Sequence, residues 1–218
     1  MSISFTNLQH LHYQLTSDDY AALRACLEDR AVEKNSKSVH SLFFTSYLDR
    51  MPAYADSELL VPTARFSLSY YDNDPSYLIL ERRLSGTRTT AMVSEAECRA
   101  LLAGETDWLL NQHNPVLLDF YDSLSERMLL PQMLLTYQRE IYTANDLNLW
   151  VALNTDIRSS LDHMNFLDPA QLVNDTLGQE GRILMEVSYS DRIPDDVLCL
   201  LEENAPRRKL VHSGYLTA

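Results

Sequence analysis

Three arginines, two glutamates and three histidines have the types and spacing that could do chemistry. Arg65, Arg83 and Arg139 could hold a small anion, because a guanidinium presents a planar fork of donors that matches phosphate oxygens. The alternative is structural pairing with Glu81, Glu186 and other acids, since buried charges persist mainly when paired. Glu81 and Glu186 could instead hold a divalent cation, although two carboxylates are few for an ion that recruits many oxygens. His10 and His12 are two apart and share a face if they lie on a strand; with His40 they could ligate a transition metal. The alternative for these histidines is a neutral, hydrogen-bonded role among polar side chains. Cys26, Cys98 and Cys199 have no histidine at a telling spacing and read as buried thiols rather than nucleophiles.

The segments carrying these residues alternate with period two, the pattern of half-buried strands. Over residues 61–71, Thr63, Arg65, Ser67 and Ser69 oppose Ala64, Phe66, Leu68 and Tyr70. Over 77–84, Tyr77, Ile79, Glu81 and Arg83 oppose Leu78, Leu80 and Leu84. Over 147–154, Asn148, Trp150, Ala152 and Asn154 oppose Leu147, Leu149, Val151 and Leu153, and over 183–188 Glu186 and Ser188 oppose Ile183, Met185 and Val187. Less regular strands are expected at 8–15, 40–45 and 132–143. Helices are expected after Thr16 or Ser17, from a Ser94–Glu97 capping box to a stop at Gly104, from Pro115, and from Pro194. Strands with one polar face and amphipathic helices around them predict an α+β fold: an antiparallel β-barrel with a polar lumen and flanking helices, as a single domain over residues 1–218.

Composition narrows the function classes. The 218 residues carry 18 Lys and Arg against 31 Asp and Glu, a net charge of −13, which repels nucleic acid unless a local basic pocket overrides it. Five glycines form neither GxGxxG nor GxxxxGK[ST], which excludes the sequence-recognisable Rossmann and P-loop nucleotide sites. No apolar run approaches the roughly 20 residues of a membrane span, and the first residues lack the pattern of a secretory signal. Three cysteines without short spacing argue against a disulfide scaffold. A cytoplasmic location is expected.

The order of segments resembles the VTC (vacuolar transporter chaperone) domain of polyphosphate polymerases, within the triphosphate tunnel metalloenzymes. The phrases that carry the resemblance are His40-Ser41-Leu42-Phe43-Phe44, Ser69-Tyr70-Tyr71-Asp72-Asn73-Asp74, Leu80-Glu81-Arg82-Arg83, Thr136-Tyr137-Gln138-Arg139, Trp150 to Asp156, and Leu184 to Tyr189. They run in order from about Leu8 to Tyr215. The resemblance implies a tunnel of antiparallel strands in which inward Arg and Lys grip a triphosphate or polyphosphate and inward Glu helps hold Mg²⁺ or Mn²⁺. Such phosphoryl transfer depends on positioning and charge neutralisation.

Measured against that pattern, the cationic positions are mostly replaced. Leu8, His10 and His12 stand where Arg, Glu and Lys are expected, and His40 stands for an Arg. Ser67 and Ser69 replace an Arg-x-Arg, Asn148 and Trp150 replace basic residues, Asn154 an aspartate, and Ser188 and Gly214 lysines. Arg65, Glu81, Arg83, Arg139 and Glu186 survive, while the outward apolar pattern is intact. These departures imply a VTC-like domain that has lost polymerase chemistry and serves as a regulatory, scaffolding or partner-binding subunit. No cofactor is expected, and polyphosphate or nucleotide binding is expected to be weak or absent. The alternative is an active phosphotransferase or triphosphatase on ATP or polyphosphate, with Mg or Mn held by Glu81 and Glu186 and phosphates by the three arginines. A lesser alternative is a lumen reused for a neutral or cationic small molecule, with Trp150 and Tyr77 as stacking surfaces.

Overall fold

The computed structural model describes residues 9–30, 33–46, 63–84, 87–143, 149–168, 182–189 and 209–210. Among the described residues, nine strands and three helices follow in chain order: β1 (Gln9–Leu15), α1 (Ser17–Arg30), β2 (Glu33–Ser46), β3 (Arg65–Tyr71), β4 (Asp74–Leu84), β5 (Thr87–Ser94), α2 (Glu95–Leu102), α3 (Pro115–Glu126), β6 (Leu129–Thr143), β7 (Leu149–Ser160), β8 (Ile183–Tyr189) and β9 (Lys209–Leu210). A 3₁₀ turn, Asp107–Asn111, precedes α3. The strands form one sheet in the order β5-β4-β3-β2-β6-β7-β8-β1-β9. Among the described residues β5 and β9 do not pair, so the fold stands as a mostly antiparallel sheet with few helices, and the closure expected from the sequence is not seen in them. No helix among the described residues is long and apolar enough to cross a membrane.

The chain divides into two compact units. One comprises Met1–Phe5, Val39–Thr136 and Ser159–Asp175; the other comprises Thr6–Ser38, Tyr137–Arg158 and Thr176–Ala218. In the first unit, β3 and β4 join through the two-residue turn Asp72-Asn73, both at positive φ (54° and 57°). This is the turn geometry that matches strand twist, and Asp and Asn tolerate it better than other side-chain residues. The apolar face of this sheet buries Phe66, Leu68, Leu78, Leu80 and Val93 under Cys98 and Leu101 of α2 and Val116, Leu117 and Phe120 of α3. Phe120 meets both Phe44 and Phe66 at ring-centroid distances of 5.0 Å. The second unit buries Leu149, Val151, Leu153, Met185 and Val187 beneath Leu23 of α1.

Helix starts follow the expected capping chemistry. Ser94 Oγ accepts from the Glu97 amide (3.3 Å) while the Ser94 amide donates to Glu97 Oε2 (2.8 Å), closing a capping box on α2. Two residues past the end of α2, Gly104 at φ +84° donates its amide to Leu101 O (3.0 Å). Asn114 caps α3 through Val116, with Pro115 in the first turn. Thr16 and Asp19 cap α1 reciprocally, the Asp19 amide donating to Thr16 Oγ1 at 3.2 Å. The helix expected from Pro194 lies outside the described residues.

His40 departs from its expected place. On β2 it pairs with Tyr70, so it belongs to the apolar face with Leu42 and Phe44 rather than to the polar face. Its ring stacks on Tyr70 at 4.6 Å and 7°, and its Nε2 lies 2.7 Å from Asn73 Oδ1 in the β3–β4 turn. Burial holds its pKa below the ordinary histidine value, because the charged ring loses its water; the Asn73 bond opposes this only partly.

Three outcomes follow for stability. Phe120→Ala should cost about 3–5 kcal/mol in urea unfolding, because the void it leaves faces two aromatic rings that cannot close it, and Ser94→Ala about 1 kcal/mol through the lost cap. For His40, the unfolded chain takes up a proton near pH 6.5 that the folded chain resists, so its contribution is fully present above that pH and is lost as pH falls. Unfolding measured between about pH 7.5 and 5 should show wild type losing stability more steeply than His40→Gln. Equal slopes would place His40 in water.

Candidate functional site

Each unit carries one polar sheet face, opposite its apolar core. In the first unit, cross-strand register sets Arg65 of β3 opposite Arg83 of β4, and Arg83 opposite Arg88 of β5. The next rung toward the β3–β4 turn is Ser67, Glu81 and Thr90, and the one beyond it Ser69, Ile79 and Met92. Ser41 of β2 joins this face, its hydroxyl 2.7 Å from that of Ser69. Like charges directly opposite one another are destabilising in a sheet. Glu81 resolves part of this row: Arg83 Nε bonds its Oε1 and Arg88 Nη2 its Oε2. The Glu81 side chain is 9% exposed against about a third for each arginine, so the carboxylate is sunk between two guanidiniums.

In the second unit, His12 of β1, Glu186 of β8 and Ala152 of β7 share a rung. His10, Ser188 and Trp150 form the next, and Gln14, Leu184 and Asn154 the one on the other side. Arg139 Nη2 of β6 donates to Glu186 Oε2 at 2.8 Å, with side-chain exposures of 19% and 5%. Ser188 and Asn154 are buried, and Trp150 is half-buried. Asn148, Leu8 and Gly214 lie outside the described residues.

The structure therefore brings Arg65, Ser67, Ser69, Glu81 and Arg83 onto one face, and His12, Arg139, Asn154 and Glu186 into the other unit. The three-histidine metal reading loses His40, whose Nε2 is committed to Asn73 on the opposite face of β2. Among the described residues no group of three or more His, Cys, Asp or Glu is arranged to hold a metal. Cys98 is fully buried, and desolvation pushes its thiol up to about 12, far from a thiolate at neutral pH. Cys199 lies outside the described residues.

Sequence reasoning missed β5 and with it Arg88. The signal was present: Ser85-Gly86 separates the β4 alternation from Thr87-Arg88-Thr89-Thr90-Ala91-Met92-Val93, a hairpin pattern. It also missed a cluster on the second unit, where Glu140 receives Arg24 (3.2 Å), Lys34 (3.4 Å) and the Tyr142 hydroxyl (3.1 Å). That cluster ties α1 to β2 and β6, and Glu140 has the opposite strand parity to Arg139. Burial and the negative charge of Glu140 raise the pKa of Tyr20 there.

Comparison with solved structures places the fold among known ones. A candidate adenylyl cyclase from Hippeastrum, with a dominant triphosphatase activity, superposes with a TM-score of 0.55 at 11% identity, covering 99% of this chain and 93% of that one. A candidate adenylate cyclase from Bacillus halodurans gives 0.56 at 9% identity, covering 97% and 100%. None of the curated proteins compared with the chain is similar enough to count as a relative. The comparison with protein families matches the VTC domain over residues 7–218. That match covers nearly the whole chain, which therefore belongs to the VTC domain family.

Proposed function

We propose that this VTC domain has lost polyphosphate polymerase chemistry and acts in the cytoplasm as a regulatory, scaffolding or partner-binding subunit. The observation that carries this reading is that both surviving glutamates are already engaged by arginines. Glu81 spends both oxygens on Arg83 and Arg88, and Glu186 holds Arg139. A hard divalent cation needs about six or more oxygen ligands. Glu81 would have to release two guanidiniums to become one of them, and these would repel the incoming ion. Among the described residues, Glu81 and Glu186 so engaged are a poor fit to a resident Mg²⁺ or Mn²⁺.

Substrate affinity argues the same way. Each charge-assisted contact to phosphate contributes roughly 1.5–3 kcal/mol. His40 faces the core and is set aside; Leu8, His12, Ser67, Ser69, Asn148, Trp150, Ser188 and Gly214 remain as replacements of family cations. If half of them touch phosphate in active relatives, the loss is on the order of 6–12 kcal/mol. That exceeds the roughly 4 kcal/mol separating millimolar binding from none.

The competing reading is a metal-dependent phosphotransferase or triphosphatase acting on ATP or polyphosphate. It draws support from the Arg65–Arg83–Arg88 row and from the triphosphatase activity of the Hippeastrum protein. Incubation with ATP and Mn²⁺, followed by assays for polyphosphate and released phosphate, separates the two. Neither product should form above the protein-free control. Robust product that vanishes in Glu186→Gln would establish the enzyme.

A further inference from the structure

His40 and Tyr70 tie together parts of the first unit that are far apart in sequence. The buried His40 ring stacks on Tyr70, and the Tyr70 hydroxyl donates to the Phe166 carbonyl oxygen at 2.8 Å. Phe166 is itself fully buried, its ring centroid 5.1 Å from that of Tyr70. Residues 161–168, which carry it, are a run of turns: the Phe166 amide donates to His163 O (3.2 Å) and the Asp168 amide to Asn165 O (2.9 Å). Leu161 and Met164 of this segment are exposed, while Phe166 and Leu167 anchor it in the core. We propose that His40 is a proton-operated latch: taking up a proton drives its ring off Tyr70 and lets residues 161–168 open locally from the core of the first unit.

This goes beyond the loss of polymerase chemistry and does not depend on it. The His40 ring has two nitrogens and one hydrogen-bond partner. Nε2 meets Asn73 Oδ1, and the buried Nδ1 has no partner. A neutral ring tolerates this, because one of its nitrogens is only an acceptor. In the charged ring both nitrogens are donors, so a donor would be stranded in the core together with an unpaired charge. Attraction of that charge to the Tyr70 face is weaker than the penalty of burying it. The surrounding elements offer no compensation. Asp72 and Asp74 lie at the β3–β4 turn, where Asp74 is engaged by Ser76; α2 brings Cys98; the segment itself brings Asp162, which holds Asn165 at 2.8 Å, His163 and Asp168. On the other flank of β2, the part of β6 in this unit, residues 129–136, is uncharged. The forces acting on His40 are burial and the Asn73 bond, with none from a carboxylate. The charged ring therefore moves toward water, and Tyr70 loses the surface that holds its hydroxyl on Phe166.

Native-state hydrogen exchange of the full chain, followed by NMR in low concentrations of urea, tests this at the Phe166 and Asp168 amides. The open state takes up a proton near pH 6.5 that the closed state resists, so closure is complete above that pH and weakens as pH falls. Between about pH 7.5 and 5.5, after correction for intrinsic exchange chemistry, the opening constant at both amides should rise on the order of tenfold. It should depend little on urea, because a local opening exposes little surface. His40→Gln should abolish the rise, and His163→Gln should keep it. Tyr70→Phe removes the donor to Phe166 O and should open the segment roughly tenfold more already at pH 7.5, so it stays informative if His40→Gln does not fold. A rise that carries the same urea dependence as the Leu80 amide in the core of β4 would overturn the latch, since the proton would then unfold the whole unit. So would no rise, a rise that follows His163, or wild-type exchange in Tyr70→Phe. None of these outcomes bears on the assay with ATP and Mn²⁺.

Discussion

A carboxylate removed from water must find positive charge, and two such carboxylates organise the polar faces of this protein. Glu81 and Glu186 have side-chain exposures of 9% and 5%. An ion in that position left alone costs several kcal/mol, and the cost is offset only by close, hydrogen-bonded partners. In the VTC family the resemblance gives those glutamates a metal and a phosphate chain to share. Here Glu81 meets arginines of its own and the adjacent strand, and Glu186 meets Arg139 from two strands away. The pairing keeps buried charges tolerable in the sheet.

The fold and the polar faces draw on different physics, so a sequence can change one and keep the other. Helix packing depends on the apolar parity of each strand: Phe66, Leu68 and Leu80 in one unit, Val151, Leu153 and Met185 in the other. Those positions are untouched by exchanging Arg for Ser at 67 and 69, because the side chains alternate across the sheet. A strand tolerates a polar replacement on its solvated face far better than a change in its core.

Much of this was legible in the sequence. The alternations at 61–71, 77–84 and 183–188 put each named residue on the face where it is found, and Ser94–Glu97 and Pro115 marked helix starts correctly. Pairing of the surviving arginines with Glu81 and Glu186 was likewise one of the readings their types allowed. What was not legible depended on register between strands. His40 was matched by its place in a family phrase, whereas its face is set by pairing with Tyr70, and no local pattern around it reveals the stack. β5 was overlooked because Thr-rich alternation is less apolar than its neighbours, although the partner it supplies to Glu81 comes from that strand. Sheet closure depends on long-range pairing that periodicity alone does not specify.

The central claim is that these glutamates are held by arginine as structural ion pairs and do not await a metal. A double-mutant cycle on Arg139 and Glu186, read by urea unfolding, tests it directly. Breaking the pair from either side, in Arg139→Gln or Glu186→Gln, should cost about 3–5 kcal/mol, because each leaves an uncompensated partner. The double variant should cost about as much as either single variant alone, a coupling energy of about 3–5 kcal/mol. Additive losses would contradict the account. So would a Glu186→Gln variant more stable than wild type, the signature of a carboxylate kept under strain for a cation.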